Sequence, residues 1–321
     1  MLADARYAWP MQDPLIELAT VPPVALHPAV LAARAPLAVI VGDLLAVPDS
    51  TLERSWRWRP TDHVDEEVRY GFYRIHERFE TAIGAIAVGR SEAPPDPIGP
   101  AVPALGAMAA ARWDLHGALA PLAAGDWDAD PRGGEWTIRE ALGHIIGSQR
   151  SYGWFNAWYL SRPALEGKAT RPPEGFLPPE PTEEAEAAGS PLDASARLDA
   201  IVDACIAANA GLDHAALHVG ALWGGQQVTI DFRLGRYGSH IREHTVQVDK
   251  TLVLLGREPS EVERLVRLVL ATYGRLEGLI VGRPSAELDT PFPSGSSASR
   301  ILTEAVADVA ETAAGVRAAS V

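Results

Sequence analysis

The sequence has a single cysteine, only two lysines, and no positively charged start leading into an apolar block. One cysteine, Cys205, makes no internal disulfide, which points to a reducing compartment. It sits among Ile201, Val202 and Ile206 with no histidine near it in sequence, so a small buried core residue is expected rather than a catalytic thiol. Met1 to Pro23 does not read as a signal peptide. No run of about 18 apolar residues is read either, so no membrane span is expected. Together these absences predict a cytoplasmic protein. Basic charge is also short: 28 Lys and Arg stand against 42 Asp and Glu, a formal net charge of -14. That balance argues against nucleic acid, whose phosphates demand Lys and Arg, and against an anionic membrane surface. Lysine occurs only at Lys168 and Lys250 while arginine and alanine abound, a bias that reflects a GC-rich genome more than a function.

What is present is a core-sized apolar content, 47% of 321 residues, cut into blocks by proline and glycine. Helices are expected over about His27 to Leu45, Asp65 to Val88, Val102 to Ala123, Thr137 to Ser161, Asp193 to Ala210, Ile230 to Leu255, Ser260 to Val281 and Ser299 to Ala319. The fourth has the clearest start: Thr137-Ile138-Arg139-Glu140 is a capping box, with Trp136 placed as a hydrophobic staple toward Ala141. Residues 91–100 read as a linker. Residues 163–191, rich in Pro, Glu, Gly and Ala, read as a long exposed loop, and loops this long often lie over a functional site.

This pattern predicts an all-α chain: residues 1–26 an extended segment, 27–100 a helical pair with its linker, 101–256 a four-helix bundle with one long connection, and 257–321 a second helical pair. The two flanking pairs either pack together as a second helical unit or decorate the bundle separately.

The chemistry is carried by histidines. His240 and His244 are four residues apart, which stacks two imidazoles on one helical face. The row Tyr237, Ile241, His244, Val248, Leu252 puts His244 at or beside the bundle interior. A second pair, His214 and His218, follows Gly211, where a helix is expected to have ended, and reads as loop histidines. His144 lies among Leu142, Ile145 and Ile146 in the capped helix, so it needs a polar partner. A carboxylate or carbonyl answers that need as well as a metal ion does.

The motif Trp136-Thr137-x-x-Glu140-x-x-x-His144, followed by His240-x-x-Glu243-His244-x-x-Gln247, resembles the DinB/YfiT-like superfamily. The resemblance covers roughly residues 101–256. It implies a DinB-like four-helix bundle, here with additional N- and C-terminal helices, and a divalent metal ion held by His144, His240 and His244. It also implies metal-dependent hydrolysis, or transfer of a low-molecular-weight thiol such as mycothiol or bacillithiol, on a small-molecule substrate. A homodimer is expected by analogy.

Three neutral imidazoles suit zinc, nickel or another first-row divalent ion, and three protein ligands leave a coordination position open. A metal-dependent thiol transferase or hydrolase is therefore expected. A non-catalytic metal- or small-ligand-binding protein is the alternative, since no convincing general base is apparent; a purely structural role without metal is the third. Gln247 is placed as a partner of His244 or an ordinary amide, Glu243 as an outward carboxylate, Glu140 as the helix cap, and Tyr152, Trp154 and Trp158 as core or pocket wall. Arg150 and Arg236 are candidates to hold a substrate carboxylate. His240-x-x-Glu243-His244 also fits an inverted zinc peptidase, which would need Glu304 or Glu311 as third ligand and leaves His144 unexplained.

Overall fold

The computed structural model describes residues 14–57, 65–92, 99–162 and 168–321. In chain order the helices are α1 (Pro14–Glu17), α2 (Pro28–Leu45), α3 (Val68–Glu92), α4 (Val102–Leu119), α5 (Ala124–Trp127), α6 (Ile138–Ser161), α7 (Glu183–Glu186), α8 (Pro191–Asn209), α9 (His214–Leu217), α10 (Ile230–Leu254), α11 (Glu261–Gly278), α12 (Ser285–Asp289) and α13 (Ala298–Ser320). Two small antiparallel hairpins join them: β1 (Ser55–Trp56) with β2 (Glu66–Glu67), and β3 (Gly220–Trp223) with β4 (Gln226–Thr229). The fold class is all-α, as the periodicity predicts. The stretch expected to be extended carries the single turn α1; residues 1–13, residues 93–98 of the expected linker and residues 163–167 of the long loop lie outside the described residues.

The long helices begin where their sequences dictate. Thr137 accepts from the Glu140 backbone while Glu140 returns to the Thr137 backbone, and Ser190 with Asp193 and Ser260 with Glu263 repeat the same reciprocal cap. Pro191 occupies the first turn of α8, where its missing N–H costs nothing.

Helices α4, α6, α8 and α10 pack as a closed ring, each against the next: α4 on α10, α10 on α6, α6 on α8 and α8 on α4. A second ring forms from α2, α13, α3 and α11, and the two meet along α4 and α11. Helix α4 therefore has neighbours on most sides, with Leu105, Met108, Ala111, Arg112 and Leu115 all buried, which is why it lacks a clean polar face. The α4–α11 contact is made of small residues. Gly106 and Gly278 face each other so closely that a Cβ on Gly278 would lie 2.6 Å from the Gly106 carbonyl oxygen, and Gly274 fits against Ala110 and Trp113.

Helix α2 is not an unbroken apolar run, since it contains Arg34 and Asp43, but it is long and apolar as a whole. By length and composition alone it would pass for a membrane span, and among the described residues no other helix would. In this fold Arg34, near its middle, ion-pairs with Asp203 and Glu277 on other helices, while Val30, Ala33, Leu37, Ile40 and Leu44 are buried. Arg34 interrupts the apolar run in sequence and hides its length.

The β3–β4 hairpin turns on Gly224 and Gly225, both at positive φ (56° and 86°). Two such residues in succession meet the requirement of a two-residue hairpin turn whose twist matches its strands. The hairpin precedes α10 directly and lies beside α6, and so frames one side of the region where the histidines meet.

Candidate metal centre

His144 sits on α6, seven residues beyond the Thr137 cap, and His240 and His244 lie one turn apart on the adjacent α10. The structure brings all three together. One ligand nitrogen from each can be chosen so that all lie within 4.8 Å of one another. The ring centroids are 4.4 Å apart for His240 and His244, 4.6 Å for His144 and His244, and 5.2 Å for His144 and His240. His240 is buried, and the other two are partly exposed. The helical pattern puts His244 at or beside the bundle interior, where it is partly exposed, and His240 lies deeper.

Two of the rings are fixed from behind. His144 Nδ1 donates to Glu183 Oε1 at 2.7 Å, and His244 Nδ1 donates to Gln247 Oε1 at 2.7 Å. Each bond occupies Nδ1 and leaves Nε2 as the inward donor atom, the usual device for orienting a ligating imidazole. His244 Nε2 and His240 Nε2 lie 3.1 Å apart, close to the separation expected of two nitrogens about 2.0–2.1 Å from one ion. Burial, reinforced by the neighbouring His244 and His144, lowers the His240 pKa to about 3, and burial likewise lowers that of His244. Both are thus neutral at pH 7, the form that binds metal. The donor set, its supports and its protonation state fit a divalent cation.

The walls are aromatic. Trp136 lies 4.9 Å from His144 and is stacked on His244 at 5.9 Å with 14° between planes, so the residue placed as a helix staple forms part of the site. Tyr152 meets His240 edge-on at 5.3 Å. Trp154 and Trp158 are buried core, as is Cys205, whose thiol faces the Gln149 carbonyl.

The other candidates fall elsewhere. Arg150 is buried and ion-paired with Glu186 at 2.5 Å, so it does not hold a substrate carboxylate. Arg236 is paired with Glu243 through two bonds of 2.7 and 2.8 Å, which also fixes Glu243 outward and lowers its pKa. His214 and His218 are exposed, at the two ends of the one-turn α9. Glu304 pairs with Arg300 on the exposed face of α13, Glu311 is also exposed, and neither joins the histidines, which removes the peptidase arrangement.

Glu183 was not apparent in the sequence. It comes from the long loop, where Thr182 caps the one-turn helix α7. That helix lies on α6 because Gly143 has no side chain: a Cβ there would strike the Glu183 carbonyl. Glu186, one turn on, reaches Arg150, so the two glutamates pin the loop over the histidines. The only signal in the sequence was the loop's length and its Thr-Glu-Glu-Ala-Glu run.

Compared with known families, residues 107–248 match the family model of the DinB superfamily. The match runs from within α4 to within α10 and contains all three histidines; α2, α3, α11 and α13 lie outside it. No curated protein and no solved structure matches the chain.

Proposed function

We propose that this chain, a DinB-superfamily protein through its residues 107–248, is a metal-dependent enzyme that joins a low-molecular-weight thiol to a small electrophile. Hydrolysis of such an electrophile is the nearest related chemistry. The observation that carries the reading is the convergence of His144, His240 and His244, each neutral or oriented so that a nitrogen lone pair faces the others. A bound divalent ion such as zinc or nickel supplies Lewis acidity that lowers the pKa of a thiol or water on its open side.

The protein's own groups supply position rather than proton transfer. Glu183 and Gln247 hold two imidazoles in register. Trp136 and Tyr152 pack their rings against His144 and His240 on two sides. The nearby carboxylates are engaged, Glu183 by His144 and Glu243 by Arg236. Neither is free to act as a general base for water. A thiol needs less help, because it ionises at a much lower pH than water, and this favours thiol transfer over hydrolysis. That both carboxylates are engaged also supports a second reading, non-catalytic binding of a metal or small ligand.

Turnover separates the readings. Zinc- or nickel-loaded protein should consume a model electrophile in the presence of a low-molecular-weight thiol, and His240→Ala should not. Stoichiometric metal binding with no consumption of electrophile, with thiol or with water alone, would leave the binding protein.

A further inference from the structure

Tyr152 connects the histidines to a cavity. Its ring packs 5.3 Å from His240 and 4.8 Å from Trp223, and it lines a cleft of about 480 Å³, a volume ordinary for small-molecule sites. The other walls are Phe155 and Tyr159 from α6, Trp223 and the Gly224–Gly225 turn from the hairpin, and two guanidinium groups, Arg171 and Arg233.

The arginines are the unusual feature. Arg233 is only 4% exposed. Its donors go to neutral acceptors: Asn156 Oδ1 at 2.5 Å, the Leu222 carbonyl at 2.7 Å and the Tyr152 carbonyl at 3.4 Å. Three rings surround it, Tyr159 at 5.4 Å, Trp223 at 5.5 Å and Phe155 at 5.9 Å. Burial pulls its pKa down, and no carboxylate among the described residues opposes that. Arg171, exposed on the cavity wall, has no carboxylate partner among the described residues either. The two other buried arginines of the bundle helices are paired with carboxylates: Arg112 with Glu277 and Asp203, Arg150 with Glu186. A buried positive charge without a counter-charge is costly unless something anionic completes it.

We propose that this cavity binds a small organic anion with a flat, unsaturated body, its carboxylate taken by Arg233 and Arg171 and its face laid against Trp223 and Tyr152. As the substrate class of the enzyme the inference rests on the metal-dependent reading above; as a binding site it does not. Guanidinium groups suit a planar carboxylate, and aromatic walls suit a planar body.

The test uses benzoate and its neutral counterpart benzamide, titrated into metal-free protein by calorimetry and followed by tryptophan emission. Metal-free protein is used so that a carboxylate cannot report the histidine site instead. Benzoate should bind saturably, one per chain, with benzamide weaker by about tenfold or more, the effect of losing a charge-assisted bond. Arg171→Ala should weaken benzoate by a similar factor and leave benzamide unchanged. Arg233→Met removes the central charge but risks the fold, so the exposed Arg171 is the deciding variant. No saturable benzoate binding in the millimolar range, equal binding of benzamide, or an unchanged Arg171→Ala would each overturn the proposal. Benzoate binding in a protein that never turns over would instead remove the enzymatic reading and leave the anion site standing.

Discussion

Glu183 supports the histidine cluster from outside it, as Gln247 does. Its carboxylate accepts from His144 Nδ1 and so fixes which nitrogen faces His240 and His244. Glu183→Ala should lower zinc affinity by about 10–100-fold, as removal of such supports generally does, with helix content by circular dichroism unchanged. Unchanged affinity would show that the His144 ring is held by packing alone. His240 gives a prediction in pH. Burial and the two neighbouring histidines hold its folded pKa at about 3, against an ordinary value of 6.5. Between those values the unfolded chain binds a proton that the folded chain refuses, so this residue's contribution to stability is complete above pH 6.5 and declines as the pH falls toward 3. The metal-free protein should therefore lose thermal stability on acidification through that window, and His240→Phe should lose less; identical slopes would contradict the assignment. At this scale the sequence is legible where the chemistry is local. The four-residue spacing of His240 and His244 states its own geometry, and the His244–Gln247 bond spans one turn. Glu183 is 39 residues from His144, and no local pattern announces a pairing made by a loop folding back.

Eight long helices could be placed from the sequence because each repeats its apolar positions over several turns, and some, such as α6 with Thr137 and Glu140, also start at a recognisable cap. The one-turn helices α1, α5, α7, α9 and α12 could not, since four or five residues hold too little periodicity to register. The β3–β4 hairpin carries a signal of its own, Gly224-Gly225 between short apolar and β-branched runs, but its four-residue strands are too short to set an alternating period against the helices on either side. The α4–α11 contact carries the element-scale prediction. A methyl group at Gly106 would be driven into the Gly278 carbonyl, which is backbone and cannot rotate away. Gly106→Ala should cost about 1–3 kcal/mol as an overpacking change, although alanine favours a helix by about 1 kcal/mol over glycine in open positions. Chemical denaturation measures the sign directly, and stabilisation by the substitution would refute the close approach.

Across the whole molecule the two helix rings are tied by a buried ion network. Arg112 of α4 is fully buried and pairs with Glu277 of α11 and, at 2.7 Å, with Asp203 of α8; Arg34 of α2 reaches the same two carboxylates at 2.9 and 2.6 Å. Tyr273 Oη donates to Glu277 at 2.9 Å. Burial alone would raise the Glu277 carboxyl, but Arg112 and Arg34 outweigh it and hold it at about 2. Removing that carboxylate leaves two enclosed guanidinium groups short of charge, so Glu277→Ala should cost about 3–5 kcal/mol. The wild-type contribution is present above the ordinary carboxylate value of 4.5 and is lost as the pH falls toward 2. The variant should therefore show a shallower loss of stability with acid across that range, and a variant as stable as wild type would mean that the network holds nothing together. None of this linkage was visible in sequence, because its members come from four helices spread over more than 240 residues.

The central claim is that three imidazoles from two helices share one ion. X-ray absorption at the zinc edge of the loaded protein tests it most directly. The account predicts one ion per chain with three imidazole nitrogens at about 2.0–2.1 Å and one imidazole fewer in His144→Ala. An ion with no imidazole ligands, or a His144→Ala spectrum identical to wild type, would contradict it.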